Sequence, residues 1–95
     1  MQRDPRPLSE LLEQFLREYG LQELVLQARL PEVWAEVVGG PAARVSTLRH
    51  FAAGELTVEV SSPAWRVELQ LRSEELRRRL NDRFGQEVVR KLIIR

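Results

Sequence analysis

Gly54-Glu55-Leu56-Thr57-Val58-Glu59-Val60-Ser61-Ser62-Pro63 is the stretch on which the fold turns. Leu56, Val58 and Val60 alternate strictly with Glu55, Thr57 and Glu59, the period-two pattern of a strand with one buried face. The serines and Pro63 then start a helix. A serine oxygen accepts a first-turn amide that has no partner in the helix, and proline's fixed φ and missing N–H suit the first helical position. A half-buried strand therefore feeds directly into a helix.

Upstream, Val45-Ser46-Thr47-Leu48-Arg49-His50-Phe51 is β-branched and aromatic, and Ala52-Ala53-Gly54 supplies a turn, so the two runs form an antiparallel hairpin. Downstream, Trp65, Leu69, Leu76, Leu80 and Phe84 recur at helical spacing until Gly85. Ser73-Glu74-Glu75 offers a second cap, so the run reads either as one helix or as two with a break near Arg72. Val88-Val89-Arg90-Lys91-Leu92-Ile93-Ile94-Arg95 reads as a third strand. A strand, crossover helix and strand form a right-handed unit, with the last strand parallel to the second if they are neighbours.

Residues 1–7, with two prolines and mixed charges, read as a flexible lead-in. Leu8 to Tyr19 is a helix with Leu8, Leu12, Phe15 or Leu16, and Tyr19 on one stripe, stopped by Gly20. Leu21, Leu24, Val25 and Ala28 share a face that Trp34, Val37 and Val38 continue. Pro31 predicts a kink or restart there, and Gly39-Gly40-Pro41 a clean end. The order is α-α-β-β-α-β. It specifies an α+β, two-layer domain over residues 8–95, with a three-stranded mixed sheet and helices on one face. Its expected core holds Trp34, Leu56, Val58, Val60, Trp65, Leu69 and Leu80. Such an arrangement resembles the KH type of nucleic-acid-binding domain. The Gly-x-x-Gly loop by which KH domains clamp nucleic acid is absent.

Composition narrows the chemistry. The 95 residues include no cysteine, which removes disulfides, thiolate zinc sites and cysteine nucleophiles together. No run approaches the roughly 18–20 apolar residues of a membrane span, and the first residues lack the apolar core of a signal peptide. These features predict a cytoplasmic protein that makes no membrane contact. His50 is the only histidine and stands in a strand without a carboxylate beside it in sequence. Gly39-Gly40-Pro41-Ala42 has neither the lysine nor the hydroxyl residue of a phosphate loop. Glu74 and Glu75 lie among arginines, with Glu74 four residues before Arg78. The expectation is a non-enzymatic monomer with no cofactor, metal or small-molecule substrate, whose work is to bind a macromolecule.

Charge suggests where. Residues 1–48 carry five arginines against seven acids, and residues 49–95 carry nine arginines and Lys91 against seven. Arg49, Arg66, Arg72, Arg78, Arg79, Arg83, Arg90 and Lys91 are the candidate nucleic-acid or partner contacts, with Arg77 and Arg95 beside them. Arginines along a helix can follow a phosphate backbone. Glu68, Glu74, Glu75 and Asp82 offset that charge, and a simply solvated helix is the competing reading. Trp34 and Trp65 fall on apolar faces, as core residues or, for one ring, as an interface anchor.

The run Trp34-Ala35-Glu36-Val37-Val38-Gly39, then Gly54 to Trp65, Glu68-Leu69, Leu80-Asn81, Phe84-Gly85 and the Ile93-Ile94-Arg95 ending, resembles the DciA family of bacterial replicative-helicase loaders or operators. The resemblance covers about residues 21–95. It implies a KH-like core, a DnaB-type hexameric helicase as partner, and weak affinity for single-stranded or tailed DNA that assists helicase loading at replication initiation. The alternative is a KH-like RNA-binding or ribosome-associated module.

Overall fold

The computed structural model describes residues 7–18 and 20–95, so most of the expected lead-in, and Tyr19, lie outside the described residues. The elements run α1 (Leu8–Glu18), α2 (Gln22–Val38), α3 (Gly40–Arg44), β1 (Ser46–Ala52), β2 (Glu55–Val60), α4 (Pro63–Leu71), α5 (Ser73–Phe84) and β3 (Lys91–Ile94). The fold is the expected α+β arrangement with an open, mixed three-stranded sheet.

β2 is the central strand. It pairs antiparallel with β1, from Ser46 opposite Val60 to Ala52 opposite Glu55, with a bulge between Leu48 and His50. It pairs parallel with β3, from Glu55 opposite Lys91 to Val58 opposite Ile94. The β1–β2 turn is Ala53-Gly54, both at positive φ (53° and 79°), the backbone that matches the twist of a two-residue hairpin. A Cβ added at Gly54 would also sit 2.7 Å from Nε of Arg90, so that side chain would have to shift.

Leu56, Val58 and Val60 are fully buried, together with Leu30, Trp34, Leu69, Leu76, Leu80 and Val89, in one hydrophobic cluster. Trp65 is only half-buried and packs against the edge of that cluster. The Ser62 side chain caps α4 by accepting the Trp65 backbone N–H at 3.3 Å. The helix breaks at Arg72, and α5 ends on Gly85 in the left-handed region (φ 71°).

α2 continues through Pro31 without a restart, and its second half buries Leu30, Val33, Trp34 and Val37. Gly39 ends α2 at φ 88° as expected, and Gly40-Pro41 then starts the short helix α3; Pro41 fits a first turn, and Ala42 is fully buried. β3 begins at Lys91 and not at Val88. Val88 and Val89 are apolar and buried, but their amides face Asn81 instead of β2. Asn81 Oδ1 accepts from Val88 N at 2.9 Å and Val89 N at 2.8 Å, and its Nδ2 donates to the Val89 carbonyl at 2.8 Å.

Asn81→Leu keeps the branched side-chain shape but leaves the Val88 and Val89 amides without their acceptor, so it should cost about 2–4 kcal/mol, read by denaturant unfolding, with the amides of β3 the first to gain exchange. Val58→Asp would bury an unpaired charge in the centre of the sheet, and its circular dichroism spectrum should be that of an unfolded chain.

Candidate nucleic-acid and partner interface

The candidate cations fall at three places in the fold, and nearly all are engaged locally. Arg66 stands in the first turn of α4, where its Nε and Nη2 both donate to the Val60 carbonyl, at 3.2 and 2.9 Å. The guanidinium fork thus ties the start of α4 to the end of β2. At the helix break, Arg72 bridges Glu68 (4.0 Å) and Glu75 (3.4 Å).

On α5, Arg77 grips Glu74 with two hydrogen bonds of 3.0 and 2.7 Å and donates a third to the Val89 carbonyl at 3.3 Å. Arg78 lies 3.7 Å from the same Glu74 and is largely exposed. Arg83 reaches across to Glu36 of α2 in an ion pair. Arg79 is exposed and makes no ion pair among the described residues. It lines, with Glu36, Val37, Asp82 and Arg83, a recess of about 240 Å³ between α5 and α2.

The second place is the sheet face turned away from the core. Arg49 is the extra residue of the β1 bulge and forks onto Glu59 at 3.1 and 3.3 Å. Lys91 pairs with Glu55 across β2–β3 at 3.9 Å. The third is the hairpin turn, where Arg90 Nη2 donates to the Ala53 carbonyl at 2.7 Å. The structure therefore assembles Arg78, Arg79 and Arg83 on one helix, while Arg49 with Lys91, and Arg90, stand apart from them. His50 lies on β1 and is exposed. Among the described residues no three His, Cys, Asp or Glu side chains are placed to hold a metal ion, and no helix is long and apolar enough to cross a membrane.

These contacts set the titration of two carboxyls. Hydrogen bonds from Arg49, then its charge, hold Glu59 below the usual carboxylate range, with Arg95 and Arg66 adding to the effect. Glu74 is lowered mainly by the hydrogen bonds from Arg77, whose own pKa rises for the same reason.

Sequence reasoning missed two features. Arg66, Arg77 and Asn81 are consumed in holding backbone carbonyls and amides, a role that spacing along a helix does not reveal. The helical period of the apolar stripe in α1 and early α2 left open what the stripe faces, and Leu8, Leu12 and Leu24 are exposed. The acids interleaved with that stripe were the available signal.

Residues 7–94 match the family model described as "Dna[CI] antecedent, DciA". A UPF0232 protein of Streptomyces avermitilis is 30% identical over 92 residues, covering 95% of this chain and 51% of the relative. UPF0232 proteins of Mycobacterium leprae (29%) and Mycobacterium tuberculosis (28%) match over 92 residues, each covering 97% of this chain and 49% of the relative. The chain spans about half the length of the curated relatives it matches.

Glu59 and Glu74 titrate below their unfolded values, so the stability they contribute is fully present above roughly pH 5 and is lost as pH falls through the depressed folded-state values. A Glu59→Gln, Glu74→Gln variant should show a flatter dependence of melting temperature on pH below about 5, measured by differential scanning calorimetry.

Proposed function

The chain belongs to the DciA family, and from that membership we propose that it is a non-enzymatic adaptor that binds a DnaB-type replicative helicase and assists its loading onto single-stranded DNA. The observation that carries this reading is a family match spanning residues 7–94, which takes in every element of the fold. On this reading residues 8–95 act as a single, monomeric, cytoplasmic domain with no cofactor.

The mechanism follows from what the chain can supply. The sequence contains no nucleotide-binding motif, so the adaptor has no hydrolysis with which to drive a ring open. It acts by binding one helicase conformation more tightly than another, and its effect is limited to that difference. Moving a ring from 1% to 99% in a loading-competent form would take a preference of about 10⁴-fold.

The DNA contribution is electrostatic and small. Arg78, Arg79 and Arg83 are its first contacts, with Arg49, Arg72, Arg90 and Lys91 at the periphery, while Arg66 shapes the surface from beneath. Because Glu36, Glu55, Glu59 and Glu74 already pair with several of these cations, few phosphates are neutralised and few counterions released.

A strand-loading assay with the cognate helicase tests the reading directly: the domain should bind the helicase and accelerate its capture of single-stranded DNA. No binding and no acceleration, or selective retention of RNA or ribosomes instead, would overturn it. Anisotropy with labelled single-stranded DNA should show weak affinity that falls as salt rises. An Arg79→Glu, Arg83→Glu variant should lower that affinity by about tenfold and flatten the salt slope by roughly one to two phosphate contacts.

A further inference from the structure

The four arginines of α5 are held differently, and one of them is held from another element. Arg77 and Arg78 share Glu74, one turn back on the same helix. Arg77 also holds the Val89 carbonyl, so it is committed to the fold. Arg79 makes no ion pair among the described residues, whereas Arg83 crosses to Glu36 of α2. Arg79 and Arg83 stand one turn apart on α5, and with Glu36, Val37 and Asp82 they surround the recess of about 240 Å³ between the two helices.

As folded, that recess is neutral, with two guanidinium groups facing two carboxylates. Its balance is exchangeable. The side chains of Arg83 and Glu36 are 56% and 43% exposed, and an exposed pair of this kind is weak and screened by salt. Glu36 can therefore leave Arg83 when a better acceptor arrives. A phosphodiester is such an acceptor, because a guanidinium fork grips two phosphate oxygens as it grips a carboxylate. Asp82 stays in the recess whatever binds, so the charge an anion meets is set by where Glu36 is.

We infer that the recess takes one backbone phosphate of a single strand between Arg79 and Arg83, and that Glu36 is its built-in competitor, holding Arg83 while no strand is present. The inference deepens the DNA reading proposed above and rests on it. A strand enters only by displacing a carboxylate from Arg83, and the same carboxylate returns as the strand leaves. Glu36 thus lowers the affinity without altering which strand is bound.

The test uses the full chain and fluorescence anisotropy with labelled oligothymidylate across a salt series. Glu36→Gln keeps the helix former and removes the competing charge. It should tighten binding about 3- to 10-fold at about 0.1 M salt and steepen the plot of log affinity against log salt by about 0.7, the increment for one more single-strand phosphate. Melting temperature should hold, since the lost pair is exposed. Glu23→Gln makes the same change in net charge about 20 Å away along α2, beyond the ~10 Å screening length at that salt, and should leave affinity unchanged. Adding Arg83→Gln to Glu36→Gln should abolish the gain. Wild-type affinity in Glu36→Gln, or an equal gain in Glu23→Gln, would overturn the competitor, and the DNA reading would stand if Arg79→Glu, Arg83→Glu still weakens binding. If neither the wild type nor Glu36→Gln binds the strand, both fall. A Glu36→Gln chain that shifts helicase affinity but not DNA affinity would make the recess a protein contact and overturn the proposal.

Discussion

A strand parallel to its neighbour has to be carried back to the far end of the sheet before it can pair, and the turn that delivers it cannot be a tight hairpin. Here the return ends in an irregular segment, residues 85–90, whose two valines are buried beside the core. Buried backbone amides outside a helix or ladder need partners. The Asn81 carboxamide supplies them, bonding Val88 and Val89 through both its oxygen and its nitrogen. Arg77, one turn earlier on α5, adds a bond to the Val89 carbonyl. With this loop fixed, Arg90 and Lys91 N–H groups reach the Gly54 carbonyl and β3 enters in register. Gln70 of α4 then meets the Ile94 carbonyl at 3.0 Å. Asn81, Arg77 and Gln70 thus tie the helix pair to the β3 segment, beside the packing of Leu69, Leu76 and Leu80 in the core.

The alternation in β2 and the Ser62-Pro63 helix start were legible because each is a local rule obeyed by residues in direct sequence. The break near Arg72 was open in the sequence, where one continuous apolar period spans it, and the structure places it there. The start of β3 was not, since Val88 and Val89 have strand character and are buried, but their hydrogen-bond partner lies on another element. Pro31 admitted either a kink or a restart, and α2 continues through it with Leu30, Val33, Trp34 and Val37 packed in the core. The apolar stripe of α1 has helical period, which fixes the secondary structure but not what the stripe faces.

Arginine usage shows the same division. A guanidinium presents five donors in a planar fork and suits bidentate contacts to carboxylates and carbonyls. In this chain Arg49 and Arg77 fork onto glutamates, and Arg66 forks onto a carbonyl. Reading each arginine along the sequence as a free cation therefore overstates the positive surface. What remains is concentrated near Arg78 and Arg79. Exposed ion pairs of this kind contribute little to stability, and each paired arginine can exchange its carboxylate for a phosphate only by giving up the bond it has.

The two ends of the molecule consequently differ in the physics they can offer a partner. α1 and the first turns of α2 present exposed apolar side chains, among them Leu8, Leu12, Leu24 and Val25. The α4–α5 end is packed on the sheet and carries cations. On the proposed adaptor reading, a protein held at one end would leave the other end free to sample a charged strand. Even weak electrostatic contacts then act at the high local concentration set by the tether, so two modest affinities combine without new contacts being made. That coupling requires no nucleotide chemistry, and it sets an upper limit: the strand is favoured only by the contacts that both ends can make at once.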